Sequence, residues 1–213
     1  MPKSVAIVTG ASQGIGESTA IRLARDFSSV VLVARSREHL DATAARVKDA
    51  GAEPLVLDLD LSDPSAAAPV VARTLAAFGR IDALAAKGSV VLMSGNSAVF
   101  PKAPYAAVGT INAAIVALAK AFADRGITDG VQVNSVLPGP VMTGRRRSYL
   151  EHWAPLHDMT VEEATRRFPA EAGIARYGEP EEIAELMAFL VSPGARWMTG
   201  SVLRMDGGEV KSI

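Results

Sequence analysis

The chain has no cysteine, so disulfides, thiolate metal ligands and thiol catalysis are all excluded. It has only three histidines, His39, His152 and His157, scattered without metal-ligand spacing, and no metal site is expected. It lacks a charge excess of either sign: the net charge is −1 over 213 residues, which argues against a nucleic-acid or other polyanionic partner. Arg145-Arg146-Arg147 is the one dense basic run and reads as a solvated loop. The start lacks a charged-then-apolar leader, and no apolar run is read as long enough to span a bilayer. The expectation is a cytoplasmic chain with no membrane partner. The length suits a single domain covering 1–213.

What is present is organised around Ser4 to Arg25. Val5 to Val8 is a short apolar, β-branched run, the pattern of a strand buried on both faces. It enters Thr9-Gly10-Ala11-Ser12-Gln13-Gly14-Ile15-Gly16 and then a helical stripe of Ile15, Thr19 and Leu23. In this order each glycine has a job. Gly10 takes a tight turn, Gly14 lets backbone approach a ligand, and Gly16 lets the helix lie near the strand. Free N–H groups at the helix start suit a pyrophosphate. No Lys-Ser/Thr follows the last glycine, which rules out a P-loop.

Downstream the chain alternates. Val30 to Ala34 and Leu55 to Leu59 read as strands, and Glu38 to Ala50 and the stretch from Asp60 through Phe78 read as helix-bearing segments. Such alternation predicts an α/β fold of Rossmann type, a doubly wound parallel sheet in three layers, with the binding crevice at the carboxyl ends of the strands. Arg35, at the end of the second strand, can pair with a 2′-phosphate where a carboxylate would accept ribose hydroxyls. That favours NADP, with NAD still open.

These motifs together resemble the short-chain dehydrogenase/reductase family over nearly the whole chain. TGASQGIG matches its cofactor turn, with Gly10, Gly14 and Gly16 in the three glycine places and Ser12, Gln13 and Ile15 between them. Asp60-Leu61 stands where the family contacts adenine. Val131 to Thr143 resembles the strand and Pro-Gly turn along the nicotinamide, which implies cofactor contacts from Pro138, Gly139, Val141 and Thr143. Arg176 to Gly208 resembles the last helix and strand. The resemblance implies an oxidoreductase moving hydride between NAD(P)(H) and a small-molecule carbonyl or alcohol, working as a homo-oligomer. It also implies that 144–175 covers the substrate, although the same apolar content suits a dimer contact.

The catalytic half departs from the family, which uses a tyrosine, a lysine four residues later and a serine about thirteen earlier. Two registers compete. Tyr105 is the obvious phenol, but Gly109 stands four residues on. Anchoring instead on Ala113 to Ala123 puts Asn112 in the lysine place, Val108 in the tyrosine place and Gly95 in the serine place, with no insertion. In the first register Tyr105 handles the proton, helped by polar neighbours such as Ser94 and Asn112. Otherwise Tyr105 is a packing aromatic at a helix start. In the second register the site is chemically silent, and the chain is a dinucleotide-binding or scaffolding protein. A further departure follows Ile81-Asp82-Ala83-Leu84, which begins a fourth strand. Ala85-Ala86-Lys87-Gly88 leads directly to the next strand, Ser89 to Ser94, whereas a parallel crossover needs a dozen residues or more. The fourth-strand crossover helix is therefore expected to be missing.

Overall fold

The computed structural model describes residues 4–83 and 88–211. Leu84 to Lys87, on which the fourth-strand expectation partly rests, lie outside the described residues. The chain runs β1 (Val5–Thr9), α1 (Gly14–Leu23), β2 (Ser29–Ala34), α2 (Arg37–Asp49), β3 (Glu53–Asp58) and α3 (Ala67–Phe78). After the undescribed residues come β4 (Ser89–Met93), α4 (Ala106–Asp129), β5 (Gln132–Pro138), α5 (Gly144–Trp153), α6 (Val161–Ala172), α7 (Pro180–Leu190) and β6 (Val202–Met205). Every named strand pair is parallel, as unbroken apolar strands separated by helices require.

Side chains alternate across each strand and sort the helices into two layers. Ala6 and Val8 of β1, with Val30 and Leu32 of β2, pack under α1 and α2. The intervening Val5, Val31 and Val33 face the other way, toward Val70 of α3. In the second half Val136 and Val91 meet α7 through Ile183 and Leu190. Val133 and Val90 meet α4 through Ala119 and Ala123 on the opposite face. The fold is a doubly wound α/β sandwich.

Among the described residues the strands fall into two ladders. β1, β2 and β3 form one ladder and β4, β5 and β6 another. Of the expected fourth strand, the described residues show one bridge, Ala6 with Ala83. The two halves meet through α1 and α7, where Ala20 and Leu23 share a core with Ala188. Ser18 donates to Glu181 at 2.9 Å and Arg22 to Glu185 at 2.7 Å along the rim.

Two expectations are corrected. Arg145 to Arg147 lie in the first turns of α5 rather than in a loop, because the Thr143 hydroxyl accepts the Arg146 N–H and starts the helix. The stretch Ala103–Asp129 contains an 18-residue run of mean hydropathy 1.7 and is long and apolar enough to cross a membrane, contrary to the sequence reading. Its alanines, broken by Gly and Thr, hide that run. It covers the second ladder through Ala119 and Ala123 and carries Lys120, Asp124 and Arg125 within its length, the pattern of a sheet-covering helix.

An ion pair secures the start of α7. Arg176 donates to both oxygens of Glu182, at 2.7 and 2.8 Å, and the Glu179 N–H adds a third bond at 2.8 Å. Arg176 first, then this amide, hold the Glu182 carboxyl down at about 2. A carboxyl depressed on folding contributes stability above its unfolded value, near 4.5, and loses it as pH falls toward 2. We expect the urea midpoint of Arg176→Ala to fall less between pH 5 and pH 2.5 than that of the parent. Because the pair is solvent-exposed, 0.5 M salt should narrow that difference. Parallel pH profiles for the two proteins would remove the pair from the stability account.

Candidate functional site

The crevice begins where β1 ends. Gly10 turns the chain with φ +65°, a conformation that side chains disfavour. The buried Ala11 then fixes the turn: its N–H donates to Val33 O at 3.3 Å and its carbonyl accepts the Thr43 hydroxyl at 3.0 Å. α1 starts so close to this turn that a Cβ at Gly16 would stand 2.2 Å from Gly10 O. Gln13 precedes the helix in extended conformation and makes no side-chain cap. The first N–H groups of α1 therefore lack an internal partner at the place a pyrophosphate would sit, with no Cβ on Gly14 or Gly16 in the way. Ser12 and Ile15 are half-buried beside them, and Ile15 packs into the α7 core.

At the adenine end Arg35 is exposed at the carboxyl end of β2. The Ser62 N–H donates to Asp60 at 3.0 Å, and Ser62 first, with Arg35 as a further charge, lowers the Asp60 carboxyl. Leu61 beside it is exposed. Arg35, Asp60 and Leu61 thus gather at one rim.

At the other end β5 stops at Pro138, and the Gly139 N–H donates to Met205 O at 3.0 Å. Val141 is buried and bridges to Gly178. Thr143 brings the two ends of the crevice together: its methyl lies 3.4 Å from where a Cβ of Gly14 would be. Beyond it, Trp153 stacks on His157 with centroids 3.7 Å apart and meets Phe168 at 4.9 Å, so α5 and α6 enclose an aromatic cluster.

The residues that the gap-free register puts in the serine and lysine places are neighbours in space. A Cβ at Gly95 would stand 2.9 Å from the Asn112 side-chain nitrogen, so these two residues face each other. That nitrogen donates to Ser97 Oγ at 2.8 Å, and Ser94 Oγ donates to the Asn112 carbonyl at 2.8 Å. Val108 lies one turn earlier on α4 and is 53% exposed. Tyr105 is not a packing aromatic: it is 58% exposed, because the turn Ala103–Tyr105 runs over the surface, and its hydroxyl has no hydrogen bond among the described residues. Ser94, Ser97 and Asn112 are neutral groups that can orient a carbonyl oxygen. None supplies an acid tuned for proton transfer.

Sequence reasoning missed Asn96. It is buried at the end of β4 and donates to Asp206 at 2.9 Å and Glu209 at 3.0 Å, tying that end to the loop after β6. Burial pushes the Asp206 carboxyl up, but the Val210 and Gly208 amides, with Asn96, outweigh it and hold it low. The only sequence sign was a polar residue just past an apolar strand.

A parallel α/β fold with a glycine turn open to a diphosphate, a cation at its ribose end and a second turn closing over it defines a dinucleotide-dependent oxidoreductase. The family comparisons agree. A short chain dehydrogenase profile matches residues 4–87, and a profile described as enoyl-(acyl carrier protein) reductase matches 83–209. The chain belongs to the short-chain dehydrogenase/reductase family. It is 28% identical to the short-chain reductase protein NovJ of Streptomyces niveus, covering 97% of this chain and 94% of that protein. It is 26% identical to the NADPH-dependent reductase BacG of Bacillus subtilis over the full length of both. Among solved structures it resembles actinorhodin polyketide ketoreductase with NADPH, at 26% identity and TM-score 0.86, covering 97% of each chain. L-Sorbose reductase from Gluconobacter frateurii shares the fold at TM-score 0.93 and 24% identity, covering 99% of this chain and 98% of that one. The BacG alignment runs over 259 positions against 213 residues here, so that relative carries residues with no counterpart in this chain. The two family profiles meet at 83–87.

Proposed function

We propose that this chain is an NADP(H)-dependent reductase of a small-molecule carbonyl, or a dehydrogenase of the matching alcohol, acting in the cytoplasm as a homo-oligomer. The observation that carries the reading is the uncapped turn Gly10–Gly16 facing Thr143, with Arg35 at its far rim. Backbone amides between Thr9 and Gly16 hold the diphosphate. Arg35 pairs with the 2′-phosphate, the contact that separates NADP from NAD. The names of relatives, an NADPH-dependent reductase and a ketoreductase with NADPH, support the same preference. Bound there, the nicotinamide supplies the hydride chemistry. Ser97 and Asn112 orient the carbonyl oxygen, and the segment 144–175 covers the substrate. The proton comes from water or from Tyr105 after a local shift, so turnover is expected to be slow. A positioned general acid ordinarily contributes about 10²–10⁴-fold.

The test is a fluorescence titration with NADPH and NADH, followed by NADPH oxidation against a carbonyl panel. Arg35→Glu is expected to weaken NADPH about 10- to 100-fold and to leave NADH equal or tighter, since a charge-assisted phosphate contact is exchanged for repulsion. Equal loss for both dinucleotides would remove Arg35 from the phosphate site. Tight binding without turnover, unchanged by Tyr105→Phe, would favour a silent dinucleotide-binding protein. Gly95, Val108 and Asn112 are the residues that keep this second reading in view.

A further inference from the structure

Three arginines open α5, and the helix turns them different ways. Arg145 and Arg147 are exposed, whereas Arg146 is half-buried. Residues four apart share a helix face, so Arg146 lies on the inner face with Leu150 and Ala154, both buried. Its guanidinium stands 5.5 Å from the centre of the Tyr149 ring and 5.9 Å from that of Tyr177. Among the described residues no carboxylate comes within ion-pair distance of it. Arg22 shows the usual arrangement for an arginine turned toward the protein, with Asp26 at 2.6 Å and Glu185 at 2.7 Å. A cation drawn partly out of water without an acid beside it is a place for an anion to arrive.

Tyr177 carries a second, independent sign. It is 5% exposed, and its buried hydroxyl has no hydrogen-bond partner. Burial pushes this phenol up and the Arg146 charge pulls against it, so the two groups lie within each other's field. An unmet buried hydroxyl costs free energy that a bound acceptor restores. The position of both groups follows from the crevice. The Arg146 N–H donates to the Thr143 hydroxyl at 3.2 Å, and the Thr143 methyl lies 3.4 Å from where a Cβ of Gly14 would be. Tyr177 is fixed by its neighbour: the Met142 N–H donates to Gly178 O at 2.8 Å, and the Gly178 N–H donates to Pro140 O at 2.9 Å. Arg146 and Tyr177 thus flank the Pro138–Thr143 turn.

We propose that Arg146 is the residue that recognises a carboxylate on the substrate, with the Tyr177 hydroxyl as a further donor to the same anion. The substrate is then an oxo acid, or the matching hydroxy acid. The carbonyl half of this statement rests on the function proposed above; the anion site rests on Arg146 and Tyr177 alone. A guanidinium offers two parallel N–H bonds to a planar carboxylate, which a lysine ammonium cannot do. The faces of Tyr149 and Tyr177 steady it while it waits for that partner. Arg145 and Arg147, exposed beside it, draw anions toward the same mouth.

The test is calorimetric titration of the full chain, with and without saturating NADPH, using levulinate and longer straight-chain oxo acids, each beside its methyl ester. At least one acid is expected to bind ten times or more tighter than its ester. Arg146→Gln should erase that margin and keep NADPH affinity within threefold, because the proposed diphosphate contacts come from amides between Thr9 and Gly16. Arg146→Lys should restore part of the margin. Tyr177→Phe keeps the ring, and should weaken the acid about tenfold without changing the ester. Acids that bind no tighter than their esters across the series would overturn the proposal, as would a margin that survives Arg146→Gln. So would a loss of NADPH affinity equal to the loss of acid, which would assign Arg146 to the dinucleotide phosphates. An acid margin that depends on Arg146 in a chain that binds no NADPH would uphold the anion site and strike the dinucleotide reading instead.

Discussion

Replacing Gly16 with alanine abolishes NADPH binding, with an expected loss of at least 100-fold in affinity, or roughly 2.7 kcal/mol. The added Cβ would stand 2.2 Å from Gly10 O and 2.7 Å from Gly10 C, both backbone atoms that cannot rotate aside. Relief requires α1 to move off the turn or the turn to open. Either movement displaces the N–H groups that face the diphosphate. Ala11 is held to β2 and α2 by two hydrogen bonds, so the strain falls on the dinucleotide end rather than dissipating through the loop. Overpacking of this kind also costs stability on the order of 1–3 kcal/mol. Gly178→Ala is the control, since a Cβ there meets its neighbours at ordinary distances of 3.7 Å or more. NADPH binding by Gly16→Ala within threefold of the parent would overturn the assignment of this turn.

The second large effect is a gain. The variant carrying Val108→Tyr, Asn112→Lys and Gly95→Ser is expected to oxidise NADPH against its best carbonyl about 10²–10⁴-fold faster than the parent, the range a positioned general acid supplies. Val108 is more than half exposed, so a larger ring there displaces no core residue. Gly95 and Asn112 are coupled: a Cβ at 95 would press to 2.9 Å on the Asn112 carboxamide, so Gly95→Ser alone gains nothing. Lysine at 112 removes that amide and places an ammonium one turn from the new phenol, which lowers its pKa. The gain should therefore be strongly non-additive in single, double and triple variants. A triple variant that binds NADPH as tightly as the parent but turns over no faster would show that these three positions no longer border the substrate.

The first half of the site was legible because each residue type there has its own local cause. An apolar β-branched run, a glycine that must turn and a glycine with no room for a Cβ follow one another without interruption. Arg35 and Asp60 sit at strand ends, so their rim could be placed from strand order alone. The gap-free alignment also paired Gly95 with Asn112, which do face each other. Asn96 was not legible, because its partners Asp206 and Glu209 lie more than a hundred residues away and no spacing rule joins them. The segment 144–175 was read only as a cover for the substrate or a dimer contact, without its helices. α5 depends on the side-chain cap at Thr143 and has no apolar stripe, whereas α6 joins a capping box at Thr160 to an amphipathic face through Ala164 and Phe168 that Pro169 obscured. α4 shows the converse. Its composition suggests a core helix, yet Ile111, Leu118 and Phe122 are all at least half exposed, since apolar content does not reveal which neighbours a helix has.

The α1–α7 contact has one more consequence. Among the described residues no main-chain ladder joins the two sets of strands, and the packing of α1 against α7 links them. The glycine turn belongs to one set and the Pro138–Thr143 turn to the other. A dinucleotide held as proposed would span both turns and clasp that seam, so binding is expected to slow hydrogen exchange in both sets of strands together.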